Sequence, residues 1–260
     1  MIVLGFDTAT PATAVGLRLA DGTTLQGCDD PPAGERPGHT TRLLPLASQL
    51  LAQAGLRWRD LERIAVGLGP GTFTGLRIGI ATARGLSQSL GVEVVGVSTL
   101  HVLAEAGLRG SEGGSPAREG GSSKGVLAVI DARRGEVFAA AYAADGELAP
   151  PRALSPQELD SISEQAGEHR DWLAVGDGAI RYRGSLEALA VAVPADSSPL
   201  HRVDAGVLCK LALSARAGAP EAVLPDYQRR PDAEIALASK TPGSEMTAQS
   251  AADPRAKGQG

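Results

Sequence analysis

The sequence predicts an α/β protein made of two successive units of similar layout. Short apolar runs rich in β-branched residues come in pairs around polar turns near the start of each half. In the first half a strand, a glycine-punctuated loop, a helix and another strand follow, the order of a parallel crossover. A Gly- and Ser-rich stretch from Gly107 to Gly125 reads as a flexible loop between two lobes, 1–106 and 126–232.

Ile2 to Phe6, Thr13 to Leu19 and Thr23 to Gly27 read as strands, with Asp21-Gly22 as the hairpin turn between the last two. A helix is expected over Thr40 to Ala54. On it Leu43, Leu44, Leu46, Ala47, Leu50, Leu51 and Ala54 fall on an apolar arc broader than one core contact requires. Arg63 to Leu68 reads as a strand. From Gly75 the period turns helical, with Thr74 as the N-cap, and Leu76, Gly79, Ile80, Ala83, Leu86 and Leu90 form a core face.

The opposite side of that helix carries Ile78, Ala81, Thr82, Gly85 and Ser89, a stripe of mostly small residues. Glycine inside a helix costs about 1 kcal/mol against alanine, so a close contact is expected to offset Gly85. The loop before the helix has three readings: a tight turn, an anion site at the helix start, or part of an interface. It lacks both the G-K-[ST] ending of a P-loop and the G-x-G-x-x-G spacing of a dinucleotide site.

Val92 to Val97 is the next strand and Ser98 to Ala106 a helix. Val126 to Ile130 and Glu136 to Ala144 make a second strand pair around D-A-R-R-G. Helices near Ser155–Ala166, Ala179–Ala190 and Asp204–Ala217, with a strand near Trp172–Val175, complete the second unit. Residues 233–260 hold no aromatics and are expected to be disordered.

Apolar residues make up 43% of the 260 residues and aromatics only 3%, so the core must be built from Ala, Val, Leu and Ile. A net charge of −5 argues against autonomous nucleic-acid binding, which needs a concentrated basic face. Cys28 and Cys209 form no disulfide framework or zinc motif. The opening M-I-V-L-G-F-D has no basic region and reaches Asp7 early, so no signal peptide is expected. No apolar run approaches the roughly 20 residues of a membrane span. A soluble, cytoplasmic protein is the expectation.

Asp7 and Thr8 end the first strand, where a carboxylate can hold a metal-bound nucleotide through water; an Asx turn is the alternative. Gly176, Asp177 and Gly178 fit either a ribose-binding loop or a turn, and together these five residues outline a vestigial nucleotide cleft. Asp131, Arg133, Arg134 and Glu136 read as a solvated ion-pair cluster or a partner surface. The four histidines lie singly, without helical i+3 or i+4 pairs, and read as surface or capping residues. There is no G-x-S-x-G elbow.

The stretches I-V-L-G-F-D-T-A-T, G-L-G-P-G-T-F-T-G-L-R-I-G-I-A-T-A-R-G-L, V-G-V-S-T-L, D-A-R-R-G-E-V-F, G-D-G-A and L-P-D-Y-Q-R-R together resemble the bacterial TsaB (YeaZ) family of tRNA threonylcarbamoyladenosine biosynthesis proteins. The resemblance implies a two-lobed actin-like ATPase fold with ribonuclease H-like mixed sheets flanked by helices. It implies a non-catalytic scaffold that pairs with the threonylcarbamoyltransferase TsaD, works with the ATPase TsaE and meets tRNA only through the complex. Free homodimers are a further option. The first-lobe helices would form the interface, through Leu43, Leu44, Ala47, Leu50, Leu51, Ile78, Ala81, Thr82, Gly85 and Ser89. Catalytic relatives place an H-x-x-x-H metal pair where this chain has Thr99 and Leu103, so no intrinsic cofactor is expected, ATP, ADP and metal belonging to the partners. The alternatives are a stand-alone nucleotide-binding ATPase or kinase of the same fold and a glycoprotease-like metallopeptidase.

Overall fold

The computed structural model describes residues 1–32, 34–112, 125–165 and 171–228. In the first half β1 (Val3–Asp7), β2 (Thr13–Arg18) and β3 (Thr24–Asp29) form an antiparallel meander. Its Asp21-Gly22 turn places Gly22 at φ 96° and lets the Thr23 amide donate to Asp21 Oδ1 at 2.9 Å. α1 (His39–Gln53), β4 (Arg63–Gly67), α2 (Phe73–Leu90) and β5 (Glu93–Val97) follow, and β4 and β5 add in parallel. The sheet order is β3-β2-β1-β4-β5.

After α3 (Thr99–Glu112) the pattern repeats. β6 (Gly125–Arg133), β7 (Glu136–Ala143) and β8 (Gly146–Leu154) form a second meander, and β9 (Trp172–Val175) adds in parallel to β6, giving the order β8-β7-β6-β9. By topology β1 matches β6 and β4 matches β9. α4 (Leu159–Gln165), α5 (Asp177–Arg181), α6 (Arg183–Ala188) and α7 (Ala205–Ser214) complete the described helices.

Three apolar layers hold these elements. α1 and α2 cover one face of the first sheet, with Leu43, Ala47, Leu50, Leu51, Ile80 and Ala83 packed on Leu4, Phe6, Val15 and Val66. α7 and α3 fill the space between the sheets, where Leu100, Leu103, Leu208 and Cys209 join Val3 and Val95 to Val126 and Ile130. The outer face of the second sheet is closed by Leu159, Ile162, Ala179 and Leu186. Burial pushes the Cys209 thiol up to about 12, as befits a small apolar filler, whereas Cys28 is exposed. Among the described residues no helix is long and apolar enough to cross a membrane.

Several boundaries differ from expectation. α2 begins at Phe73 with Thr72, not Thr74, in the N-cap position, and Gly91 at φ 67° ends it. α3 runs past Ala106 to Glu112, into the segment read as a loop, because Leu108 still finds core to cover and Arg109 pairs with Glu105 at 2.6 Å. Gly125 already belongs to β6, while 113–124 and the tail 233–260 lie outside the described residues. The helix expected over Ala179–Ala190 is two short helices meeting at Tyr182. β8 was hidden by Pro150 and Pro151, which an edge strand tolerates because its outer amides have no ladder partner.

The glycines of the loop and of α2 have an internal explanation. A side chain at Gly67 would overlap the Asp7 carboxyl, one at Gly71 the Ala9 carbonyl, one at Gly75 the Thr8 carbonyl and one at Gly79 the Thr8 hydroxyl. Gly67 makes room for Asp7, and Gly71, Gly75 and Gly79, spaced four residues apart, let the Thr8–Ala9 turn lie directly on the start of α2. Thr8 Oγ1 donates to the Gly75 carbonyl at 2.7 Å, and the Thr72 amide donates to the Ala9 carbonyl at 2.8 Å. Gly75→Ala is therefore expected to destabilise the chain by roughly 3 kcal/mol or more, since the obstacle is backbone. Gly184→Ala, in α6 with nothing within 4 Å of the new methyl, should instead add about 0.5–1 kcal/mol. Urea midpoints of both variants check the pair; equal effects would contradict the close-approach account.

Candidate functional site

Asp7 sits at the end of β1 and is fully buried. Its Oδ1 accepts the Ala9 amide at 2.7 Å and its Oδ2 the Thr99 hydroxyl at 2.6 Å, while Thr99 Oγ1 in turn accepts the Gly69 amide at 3.1 Å. Burial raises the carboxyl's pKa, and the Thr99 and Ala9 hydrogen bonds oppose that rise. Asp7 and Thr8 thus form a structural latch. The expectation that they line a nucleotide cleft is corrected, because Asp7 and Thr8 are at most 1% exposed and neither lines the cleft between the lobes. Thr99 is part of the same latch, and Leu103 is fully buried in the central layer.

A cleft of about 780 Å³ does open between the two lobes. Thr10, Pro11, Ala12 and Asp30 line it from the first lobe, Asp131, Arg133, Asp177 and Arg181 from the second, with His201 and Arg202 beside them. Asp131 lies near the end of β6, as Asp7 ends β1, yet it faces the cleft. It is not a solvated member of a surface cluster: its side chain is only 4% exposed. Oδ1 accepts the Arg133 amide at 2.9 Å, and Oδ2 accepts Arg133 Nη1 at 3.0 Å and Arg181 Nη1 at 3.2 Å.

Of the other expected cleft residues, Asp177 lines it and accepts the Asp131 amide on Oδ1 at 3.1 Å. Gly176 and Gly178 do not line it. They are pressed against the backbone of Val129 and Ile130, so their absence of side chains serves packing. Arg181, His201 and Arg202 carried no motif in the sequence; only the fold brings them together. His201 is buried with its ring nitrogens 3.1 and 3.2 Å from the Gly176 and Pro194 carbonyls. His39 is buried as well, its Nδ1 2.9 Å from Thr13 Oγ1, which corrects the surface reading of both histidines. Among the described residues no three His, Cys, Asp or Glu side chains are grouped to hold a metal ion.

The expected interface residues divide. Leu43, Ala47, Leu50 and Leu51 are at most 3% exposed and belong to the chain's own core, so the broad apolar arc of α1 is consumed by the first sheet. Leu44 is 43% exposed. On α2, Ala81, Gly85 and Ser89 are exposed and Ile78 and Thr82 half-buried, with Thr82 Oγ1 donating to the Ile78 carbonyl at 2.8 Å. Nothing lies within 4 Å of a side chain added at Gly85.

Two mixed sheets of one topology, layered with helices around a cleft, define the actin-like ATPase fold. Residues 32–237 match the family described as TsaD, tRNA N6-adenosine threonylcarbamoyltransferase. The tRNA threonylcarbamoyladenosine biosynthesis protein TsaB of Escherichia coli K12 is 37% identical over 185 residues, 68% of this chain and 72% of that protein. An uncharacterised Mycobacterium tuberculosis protein is 33% identical over 233 residues, 89% of this chain and 93% of its own. The solved structure of YeaZ from Pseudomonas aeruginosa superposes with a TM-score of 0.68 at 28% identity, covering 87% of this chain and 100% of that one. The chain belongs to the TsaB/YeaZ family.

Burial pushes the Asp177 carboxyl up to about 6 from an ordinary 3.8, with the adjacent Asp131 charge adding to the rise and the Asp131 amide and Arg133 opposing it. The folded state therefore holds this proton more tightly than the unfolded chain, and its contribution to stability falls as pH rises from about 4 to 6. The ionised carboxylate then costs on the order of 2–3 kcal/mol above pH 6. Asp177→Asn keeps an oxygen for the Asp131 amide and should raise the melting temperature at pH 8 by several degrees, an advantage that shrinks as pH falls from 6 toward 4. Thermal melts across that range check it; a difference independent of pH would contradict the assignment.

Proposed function

We propose that the chain is a non-catalytic scaffold subunit in tRNA threonylcarbamoyladenosine formation. It pairs with a catalytic threonylcarbamoyltransferase of the TsaD family and works beside a TsaE ATPase, the tRNA being engaged through the assembled complex. Membership of the TsaB/YeaZ family supports the pathway. The scaffold role draws support from the first lobe, where Asp7 is sealed and Thr99 and Leu103 stand in place of a metal-binding histidine pair. ATP and metal belong, in this reading, to the partner subunits.

The observation that carries the reading is α2. Its inner glycines are explained by the Thr8–Ala9 turn, but a side chain added at exposed Gly85 would meet nothing within 4 Å among the described residues. A partner helix laid along Ile78, Ala81, Thr82, Gly85 and Ser89 gives that glycine a role. Gly85→Leu should leave the fold intact, because the space is open, and should weaken association with a TsaD-family partner by roughly 5- to 150-fold if an overpacking cost of about 1–3 kcal/mol falls on binding. Co-purification and analytical ultracentrifugation measure this. A folded variant with wild-type association would remove α2 from the interface, and an unfolded one would assign Gly85 to the core.

A further inference from the structure

α1 begins on a histidine whose surroundings suit the neutral ring. His39 is the first residue of the helix and is 3% exposed, and Thr13, the first residue of β2, is fully buried. His39 Nδ1 and Thr13 Oγ1 lie 2.9 Å apart. The other ring nitrogen, Nε2, is buried and has no hydrogen-bond partner among the described residues. A neutral imidazole meets Thr13 and leaves one nitrogen bare. An imidazolium would carry two N–H groups there and find an acceptor for one of them.

Three effects oppose the charge. Burial removes solvating water and lowers the His39 pKa from an ordinary 6.5. The extra N–H would be buried without an acceptor, a costly state. The ring also stands at the positive end of the α1 dipole, on a first turn that holds no acidic residue and follows Gly38, which offers no side-chain cap. The charged groups around it do not reverse the balance. Asp29, at the end of β3, favours the imidazolium but lies 3.3 Å from Arg42 Nε of α1, and burial outweighs it. β2 brings the Thr13 hydroxyl. Between β3 and α1, Asp30 is paired with Arg202, and Glu35 and Arg36 are exposed.

The segment that enters α1 is also a wall of the cleft. Asp30, Pro31, Pro32, Gly34 and Glu35 line it, as does Ala12, next to Thr13. Within the segment the Glu35 amide donates to the Pro32 carbonyl at 3.0 Å, a local turn that does not tie it to the sheet. The His39–Thr13 contact therefore joins the two stretches of first-lobe wall. We infer that His39 is a proton-operated clasp: as the neutral imidazole it holds the start of α1 and the segment before it on β2, and on protonation it leaves Thr13 and frees them. The released ring takes up its proton at an ordinary 6.5 and the clasped ring only below that, so a fall in pH through this range favours release.

The full chain is followed from pH 8 to pH 5 by the His39 Cε1–Hε1 resonance and by amide exchange, expressed as protection factors to remove the intrinsic pH dependence of exchange. The Thr41 and Arg42 amides, which donate to the Gly38 carbonyl at 2.9 and 2.8 Å, report the first turn of α1, and Val3–Asp7 of β1 is the control. Protection at Thr41 and Arg42 is expected to fall about tenfold for each pH unit by which the His39 midpoint lies below 6.5, with β1 unchanged. His39→Gln stays neutral and keeps a polar group for Thr13, so the variant should fold, as circular dichroism will report, with protection independent of pH. It also keeps Asp177, so a response driven by that carboxyl would survive the substitution. The inference is overturned if His39 titrates at or above 6.5, if protection at Thr41 and Arg42 holds across the range, if β1 loses as much as they do, or if the folded variant responds as the parent does. Should the variant unfold, the parent decides: a fall that levels off at the His39 midpoint supports the clasp, and one that continues past it overturns the clasp.

Discussion

The structure depends on the contact between the Thr8–Ala9 turn and the start of α2. Gly71, Gly75 and Gly79 leave room for the turn, and the Thr8 hydroxyl and Ala9 carbonyl bond to the backbone they meet. Asp7 completes the arrangement by bonding Thr99, which ties in the Gly69 amide and the start of α3. The buried carboxylate is tolerated because both its oxygens have partners. With its inner face committed in this way, α2 is held at a fixed distance from the first sheet, and its outer face is left to solvent or to another chain.

The two lobes share a topology and use it differently. The acid that ends β1 is enclosed, whereas Asp131 near the end of β6 opens onto the cleft between two arginines. Thr99 supplies the hydroxyl that closes the first position. In the second, the left-handed Arg133–Gly135 turn and the Asp177 carboxyl hold the acid at the surface of the cleft. One half of the molecule is therefore tied shut around its carboxylate, and the other keeps a charged pocket.

Much of the fold was legible because local signals agreed with the final structure. The Asp21-Gly22 hairpin, the apolar runs of β1, β4, β5 and β6, and the periodicity of α1 and α2 all specify elements without long-range information. β8 was not legible, since Pro150 and Pro151 are compatible with a strand only once it is known to lie at an edge. The glycine spacing was visible, but its cause lies some sixty positions earlier in Thr8 and Ala9, so turn, anion site and interface could not be told apart. Leu43, Ala47, Leu50 and Leu51 looked surplus because the breadth of the sheet they cover cannot be read from a helix alone. For the cleft, Asp177 stood out in G-D-G, whereas Arg181 and Arg202 are ordinary surface arginines until two lobes bring them together.

The central claim is that α2 divides its faces, one bound to the Thr8–Ala9 turn and the other available to a partner. Hydrogen–deuterium exchange of the full chain, alone and with a TsaD-family protein, tests that division most directly. The account predicts that partner binding slows exchange across residues 78–89 and around Leu44, and leaves residues 10–12 and 131–135 as they are in the free chain. Slowing confined to the cleft segments, or no slowing along α2, would contradict it.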